Sequence, residues 1–191
     1  MSSSRMEAFS DGVLAIVITI MVLKLNPPAD TTWDGLVEVA PTFLAYVLSY
    51  IYVGIYWANH HHLINISSSI SGTTLWKNLH WLFWMSLVPL ATEWSGTNPL
   101  TAAPTMLYGA VLFMCSITYH TLQYNIVRLE GNNSTLSNQI GKDYKGKISL
   151  LAYFFAIPMG YFLPIGSYII YIVIAIIWFV PDKRIELLFG A

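Results

Sequence analysis

Charge is what this chain has least of. Aspartate, glutamate, lysine and arginine make up 10% of its 191 residues, against about 25% in a soluble domain. With 55% hydrophobic residues and a mean hydropathy of +0.57, a soluble monomer would expose far more apolar surface than such proteins carry. That excludes an ordinary soluble fold and points to a polytopic membrane protein. The few charges nearly cancel, nine basic against ten acidic, so the basic footprint of a nucleic-acid binder is missing. Cysteine is almost absent too. Cys115 stands alone, which excludes an internal disulfide and a cysteine-rich metal centre. There is no Walker loop, no dinucleotide fingerprint, no Thr-Val-Gly-Tyr-Gly filter and no arginine-rich voltage-sensing helix. No signal peptide is expected, because the first apolar stretch has Asp11 before it, Lys24 after it and no small-residue cleavage site.

The scarce charges punctuate what remains. A first helix is predicted over about Arg5 to Leu25, closed by Asn26-Pro27-Pro28, since proline removes a donor and restricts the residue before it. Its uncharged core, Gly12 to Leu23, is 12 residues long. A span needs about 20, so Phe9, Ser10 and Asp11 must enter the membrane region. A second helix is expected over about Trp33 to Ile64, and the serine-rich run before Gly72 is a turn. A third is expected from about Thr74 to Thr92, then a short loop to Pro99, then a fourth to Val127. Residues 128–147 form the longest polar loop, and residues 148–181 are 34 uncharged positions. As one helix these would measure about 51 Å, so Gly160, Pro164 and Gly166 should split them into a fifth and a sixth. Six spans put Arg5, Lys77, Arg128, Lys142, Lys145, Lys147, Lys183 and Arg184 on one side and Lys24 alone on the other. That asymmetry predicts cytoplasmic termini. The expectation is an all-α, polytopic protein with six transmembrane helices and a single domain over residues 1–191, with no tandem repeat.

The chemistry gathers at the start of the first helix. Arg5, Glu7 and Asp11 lie at the mouth of an apolar segment, with Asp11 roughly 9 Å further along the axis than Arg5. On a helical wheel Arg5, Phe9, Gly12, Ile16, Thr19, Ile20 and Leu23 share one face. Periodicity alone fits a stripe facing lipid or another helix as well as a pore lining with an aliphatic constriction that gates by dewetting. Glu7 and Asp11 take the opposite side, where an intramembrane acid needs a partner. The second helix ends in Trp57-Ala58-Asn59-His60-His61-His62. Consecutive side chains point about 100° apart, so three such histidines cannot close on one metal. Hydrogen bonding is the better use, with an imidazole reaching a carboxylate such as Asp11. Asn78, Trp81, Pro89 and Thr92 fall on one broad face of the third helix.

Arg5-x-x-x-Phe9-Ser10-Asp11, then Trp57-x-x-His60-His61-x-Leu63, Asn78 and Ser86-x-x-Pro89-x-x-Thr92, together resemble the signature of the transmembrane protein 175 family of cation channels. The resemblance implies a bacterial-type, single-unit chain in the plasma membrane. It implies a homotetramer with four first helices around a central pore, potassium-preferring passive conduction and no carbonyl filter. The pore-lining positions it implies are Ile16, Thr19, Ile20 and Leu23. It also implies that Arg5, Phe9, Ser10 and Asp11 lock the first helix to the second and third, with Trp57, His60, His61 and Asn78 as partners. No enzyme activity, cofactor, resident metal or nucleic acid is expected, only potassium and other monovalent cations, lipid and further copies of the chain. Two other classes stay open: a membrane metalloprotein built on His60, His61, His80 and His120, and a proton-coupled transporter using Asp11 and the histidines.

Overall fold

In the computed structural model, residues 3–65, 67, 70–131 and 143–179 are described. They form seven helices and no strand. These are α1 (Ser3–Leu23), α2 (Trp33–Asn65), α3 (Gly72–Met85), α4 (Val88–Thr97), α5 (Ala102–Glu130), α6 (Tyr144–Phe162) and α7 (Pro164–Phe179). The predicted positions of Lys142, Lys183 and Arg184 lie outside the described residues.

Local chemistry sets the ends. α1 stops just ahead of Asn26-Pro27-Pro28. The Asp30 carboxylate accepts the Thr32 N–H (2.9 Å) and hydroxyl (2.6 Å), an Asx turn that leads into α2. Ser71 caps α3 by accepting the Thr74 N–H at 3.1 Å. Asp143 caps α6 from the left-handed region, φ 35°, and accepts the Gly146 N–H. Pro164 opens α7, where its missing N–H and fixed φ suit a first helical turn.

A continuous set of buried apolar side chains from every helix except the α4 end and the linkers makes the core, with Trp81, Tyr108 and Tyr171 its largest fully covered members. α5 runs through the middle and touches α3, α4, α6 and α7, while α1 lies on α2, α3 and α4. α1 does so with one face only: Met6, Ser10, Leu14, Val17 and Met21 are buried. α4 approaches α2 so closely that a Cβ at Gly96 would fall 2.7 Å from the Thr42 backbone Cα. Backbone cannot yield as a side-chain tip can. Gly96→Ala should therefore cost about 1–3 kcal/mol and lower Tm by several degrees in thermal unfolding. An unchanged Tm would show that the α2–α4 contact is looser than it looks.

The expectation of six membrane-spanning helices is corrected here. Among the described residues three helices are long and apolar enough to cross a membrane: α1, α2 and α5. The apolar run taken as one third helix is interrupted at Ser86-Leu87, leaving pieces of 14 and 10 residues. At 1.5 Å per residue these reach only about 21 and 15 Å. Pro89 is the physical reason, because it sits in the first turn of a new helix rather than inside an old one. The 34 uncharged positions break at Leu163, as the prolines and glycines suggested, but α7 has 16 residues, and α6 carries Lys145 and Lys147 in its first turn.

Candidate functional site

α1 presents two faces with different chemistry. Its covered face holds Ser10, which has no exposed surface. Ser10 donates to the Met6 carbonyl at 2.9 Å and accepts the Asn78 amide at 2.9 Å. The Asn78 carbonyl oxygen lies 2.9 Å from His60 Nε2. A carbonyl oxygen only accepts, so His60 carries its proton on Nε2. Its ring stacks on Trp81 with centroids 4.8 Å apart. The Ser10–Asn78–His60 line is buried throughout and ties α1, α3 and α2 together.

Beside it runs a second, half-open pairing of α1 with α2. Trp57 Nε1 donates to Asp11 at 3.0 Å. His61 Nδ1 meets Glu7 at 2.6 Å while its Nε2 lies 2.9 Å from the Asn65 amide nitrogen. An amide N–H donor fixes Nε2 as the acceptor, which puts the His61 proton on Nδ1, aimed at Glu7. The residues expected to meet do gather here, but with different partners. An indole reaches Asp11 and the imidazole reaches Glu7. Arg5 is exposed and makes no ion pair among the described residues, and Phe9 is 54% exposed.

The other face of α1 is left bare. Ile16 is 60%, Ile20 42% and Leu23 73% exposed. Thr19 stands among them, its hydroxyl donating back to the Ala15 carbonyl at 2.8 Å, so its free lone pairs point outward. Beyond Leu23, Lys24 pairs with Glu93 at 3.2 Å. This contact is too exposed to add much stability. Asp30, Asp34 and Glu38 are exposed at the same end. The Thr32 hydroxyl and N–H hold the Asp30 carboxyl below its usual range, so it stays charged.

The histidines do not converge. His60 goes to Asn78, His61 to Glu7, His80 to Trp84 and His120 to Asp143. Among the described residues no three of His, Cys, Asp and Glu are placed to hold a metal. The His120–Asp143 contact, 3.2 Å, joins α5 to the cap of α6. Burial raises the Asp143 pKa. The His120 hydrogen bond, the Gly146 N–H and the charges of His120 and Lys147 outweigh it and hold the carboxyl below its ordinary 3.8. A depressed carboxylate contributes stability above its unfolded-state pKa and loses it as pH falls through the folded one. The stability gap between the protein and its Asp143→Asn variant should be full above about pH 4 and close below it. Unfolding midpoints of both from pH 7 to pH 3 check this, and a gap that persists at pH 3 would remove the charge from the explanation.

Sequence reasoning missed Ser49, Tyr52 and Tyr108, all buried and hydrogen-bonded. The signal was present in α2, where Ser49, Tyr52, Tyr56 and His60 recur at helical spacing through an apolar run.

These features describe an all-helical integral membrane bundle whose first helix is fastened along one face and left bare along an aliphatic one. Residues 5–89 match the family described as "Endosomal/lysosomal potassium channel TMEM175". A potassium channel from Chryseobacterium sp. (strain P1-3) is 49% identical over 186 residues, 97% of each chain. The endosomal/lysosomal proton channel TMEM175 of Bos taurus is 34% identical over 132 residues, 62% of this chain and 27% of that one. The crystal structure of a lysosomal potassium-selective channel TMEM175 homolog from Chamaesiphon minutus superposes with a TM-score of 0.78 at 22% identity, covering 92% of this chain and 95% of that one. The chain belongs to the TMEM175 potassium-channel family.

Proposed function

We propose that this protein is one subunit of a potassium-preferring cation channel, in which four copies set α1 around a central pore lined by Ile16, Thr19, Ile20 and Leu23. The bare apolar arc of α1 carries the reading. Its opposite face is buried against α2, α3 and α4, so the subunit leaves a rigid, fastened helix with an aliphatic stripe to offer. One bundle cannot enclose a path along its own outer face, and rotational symmetry supplies the closure. The bacterial relative's description as a potassium channel at 49% identity supports the cargo. Rings of isoleucine and leucine carry no charge, so discrimination among cations arises from size and the cost of shedding water. Asp30, Asp34 and Glu38, repeated fourfold, make an acidic vestibule that concentrates cations.

The end bearing Glu7, His61, Lys77 and Arg128 faces the cytoplasm in this reading. The Trp178 indole donates to Ser149 near the start of α6 at 2.9 Å, so α7 also closes at the level of the Lys145 and Lys147 segment. The concentration of positive charge there supports cytoplasmic termini. The whole chain then acts as a single channel unit.

Purified protein in liposomes under potassium, sodium and caesium gradients tests this. Passive flux fastest for potassium is the expected result. No flux under any of these gradients, or flux that requires a proton gradient and saturates with substrate, would replace the channel with a proton-coupled carrier. The metalloprotein reading fits less well, since His60, His61, His80 and His120 each have a different neighbour.

A further inference from the structure

At the far end of α1 from the Ser10–Asn78–His60 line, a second set of hydroxyls lies behind the helix. Ser49 of α2, Thr92 of α4 and Tyr108 of α5 are 0%, 4% and 1% exposed. The Tyr108 hydroxyl is 2.9 Å from Ser49 Oγ, and Ser49 Oγ is 2.7 Å from Thr92 Oγ1. Thr92 Oγ1 is also 2.7 Å from the Val88 carbonyl and 3.8 Å from the sulfur of Met21 on α1. Thr92 has one proton and two equally short oxygen neighbours. The Thr92 hydroxyl donates to Ser49 Oγ and shares its proton with the Val88 carbonyl. Ser49 Oγ has a second lone pair for the Tyr108 hydroxyl, so the three side chains form one buried hydrogen-bonded set.

This chain of hydroxyls crosses three helices and ends against the first. Met21 is 2% exposed, and it lies between Ile20 and Leu23, which are bare on the other side of the same turn. α4 starts anew after the break at Ser86-Leu87, and its Thr92 reaches both Ser49 and Met21. We infer that Tyr108, Ser49 and Thr92 are positioning residues for conduction. They fix the seat of Met21 and thereby how far Ile20 and Leu23 project from the bundle. The inference rests on the reading of α1 as the pore helix, in which a small shift of one seat is repeated by symmetry in all four subunits.

Single-channel conductance and the caesium-to-potassium permeability ratio in planar bilayers test it, with Thr92→Val, Thr92→Ser, Ser49→Ala and Ile20→Ala compared. Thr92→Val keeps the shape and removes the relay. It and Ser49→Ala should each change the permeability ratio about threefold, the scale of one hydrogen bond within a membrane protein, while Thr92→Ser restores wild-type values. Where Thr92→Val does not assemble, Ser49→Ala, which deletes one oxygen from the same chain, decides the matter. A lowered Tm with unchanged conductance and permeability would make the relay structural only and overturn the inference. Ile20→Ala separates the two readings. If it alters conduction while the relay variants do not, the pore stands and the positioning role falls. If Ile20→Ala and the relay variants are all silent, α1 is not the pore helix and both readings fall.

Discussion

Asn78→Ala should lower the unfolding free energy of the detergent-solubilised protein by about 2–4 kcal/mol. Asn78 is 1% exposed and is the only bridge between Ser10 on α1 and His60 on α2 among the described residues. The substitution deletes both bonds at once. Within membranes a single side-chain hydrogen bond averages about 0.6 kcal/mol, with a maximum near 1.7. The larger part of the cost comes from what is left behind. The His60 Nε2 proton loses its acceptor in a site with no water-facing surface, and a small cavity opens next to Trp81. Asp11→Ala offers the contrast. It removes one bond, to a Trp57 that is 48% exposed, so water can replace the partner and the cost should stay under about 1 kcal/mol. Denaturant titrations of the two variants give the order. An Asp11 effect larger than the Asn78 effect would mean that the half-open pairing, and not the buried line, fastens α1.

The contrast also shows how far the sequence could be read. That α1 and α2 run antiparallel with their polar ends together followed from the apolar lengths and the proline stop. Which acid would meet which partner did not. Along α1, Asp11 is one turn beyond Glu7. Along α2, Trp57 is one turn before His61, so in an antiparallel pair the two steps go the same way. Either Glu7 meets His61 and Asp11 meets Trp57, or the helices slide by one turn and Asp11 meets His61. The two registers differ by about 5.4 Å. Packing elsewhere chooses, through Ser10 on Asn78, and no local pattern in α1 or α2 encodes it.

The interruption between α3 and α4 is a different kind of miss. Hydropathy is nearly continuous from Trp81 to Ala91, so an apolar count reads a single rod. The information lay in backbone chemistry. Pro89 lacks the N–H that a helix interior needs and suits a first turn, and Ser86 makes the end of α3 with its hydroxyl on the Phe83 carbonyl at 2.7 Å. Ser86, Pro89 and Thr92 thus serve one local purpose. They end one helix, start the next and place a buried hydroxyl at the back of α1. The buried hydroxyls of α5 were harder to see. Tyr108 is one of 12 tyrosines, and most such residues in an apolar chain sit at interfaces with lipid headgroups. Only the fold separates the ones that face inward.

The second large effect is expected from Ile16→Asn, on the bare face of the same helix. Ile16 is 60% exposed and touches nothing that its loss would leave unpaired, so the variant should fold with nearly unchanged stability. Conduction is where the change should appear. In the proposed tetramer Ile16 is the first aliphatic ring met from the cytoplasmic end, and a ring of four isoleucines offers a permeating ion no oxygen in exchange for its hydration shell. Four asparagine amides offer carbonyl oxygens and hold water in the constriction, which removes the dewetting barrier at that level. A reduction of only about 1.4 kcal/mol in the barrier raises flux tenfold, and replacing an entire ring should reach at least that scale. Size-based discrimination should weaken with it, because an ion that keeps its water is no longer sorted by the cost of losing it. Potassium, sodium and caesium flux into liposomes, with reconstituted protein matched in amount, reads both quantities together. Higher flux with a potassium preference closer to unity supports a constriction at Ile16. Normal flux and selectivity in a properly assembled Ile16→Asn channel would move the narrow point to Ile20 or Leu23, where the same substitution tests each ring in turn.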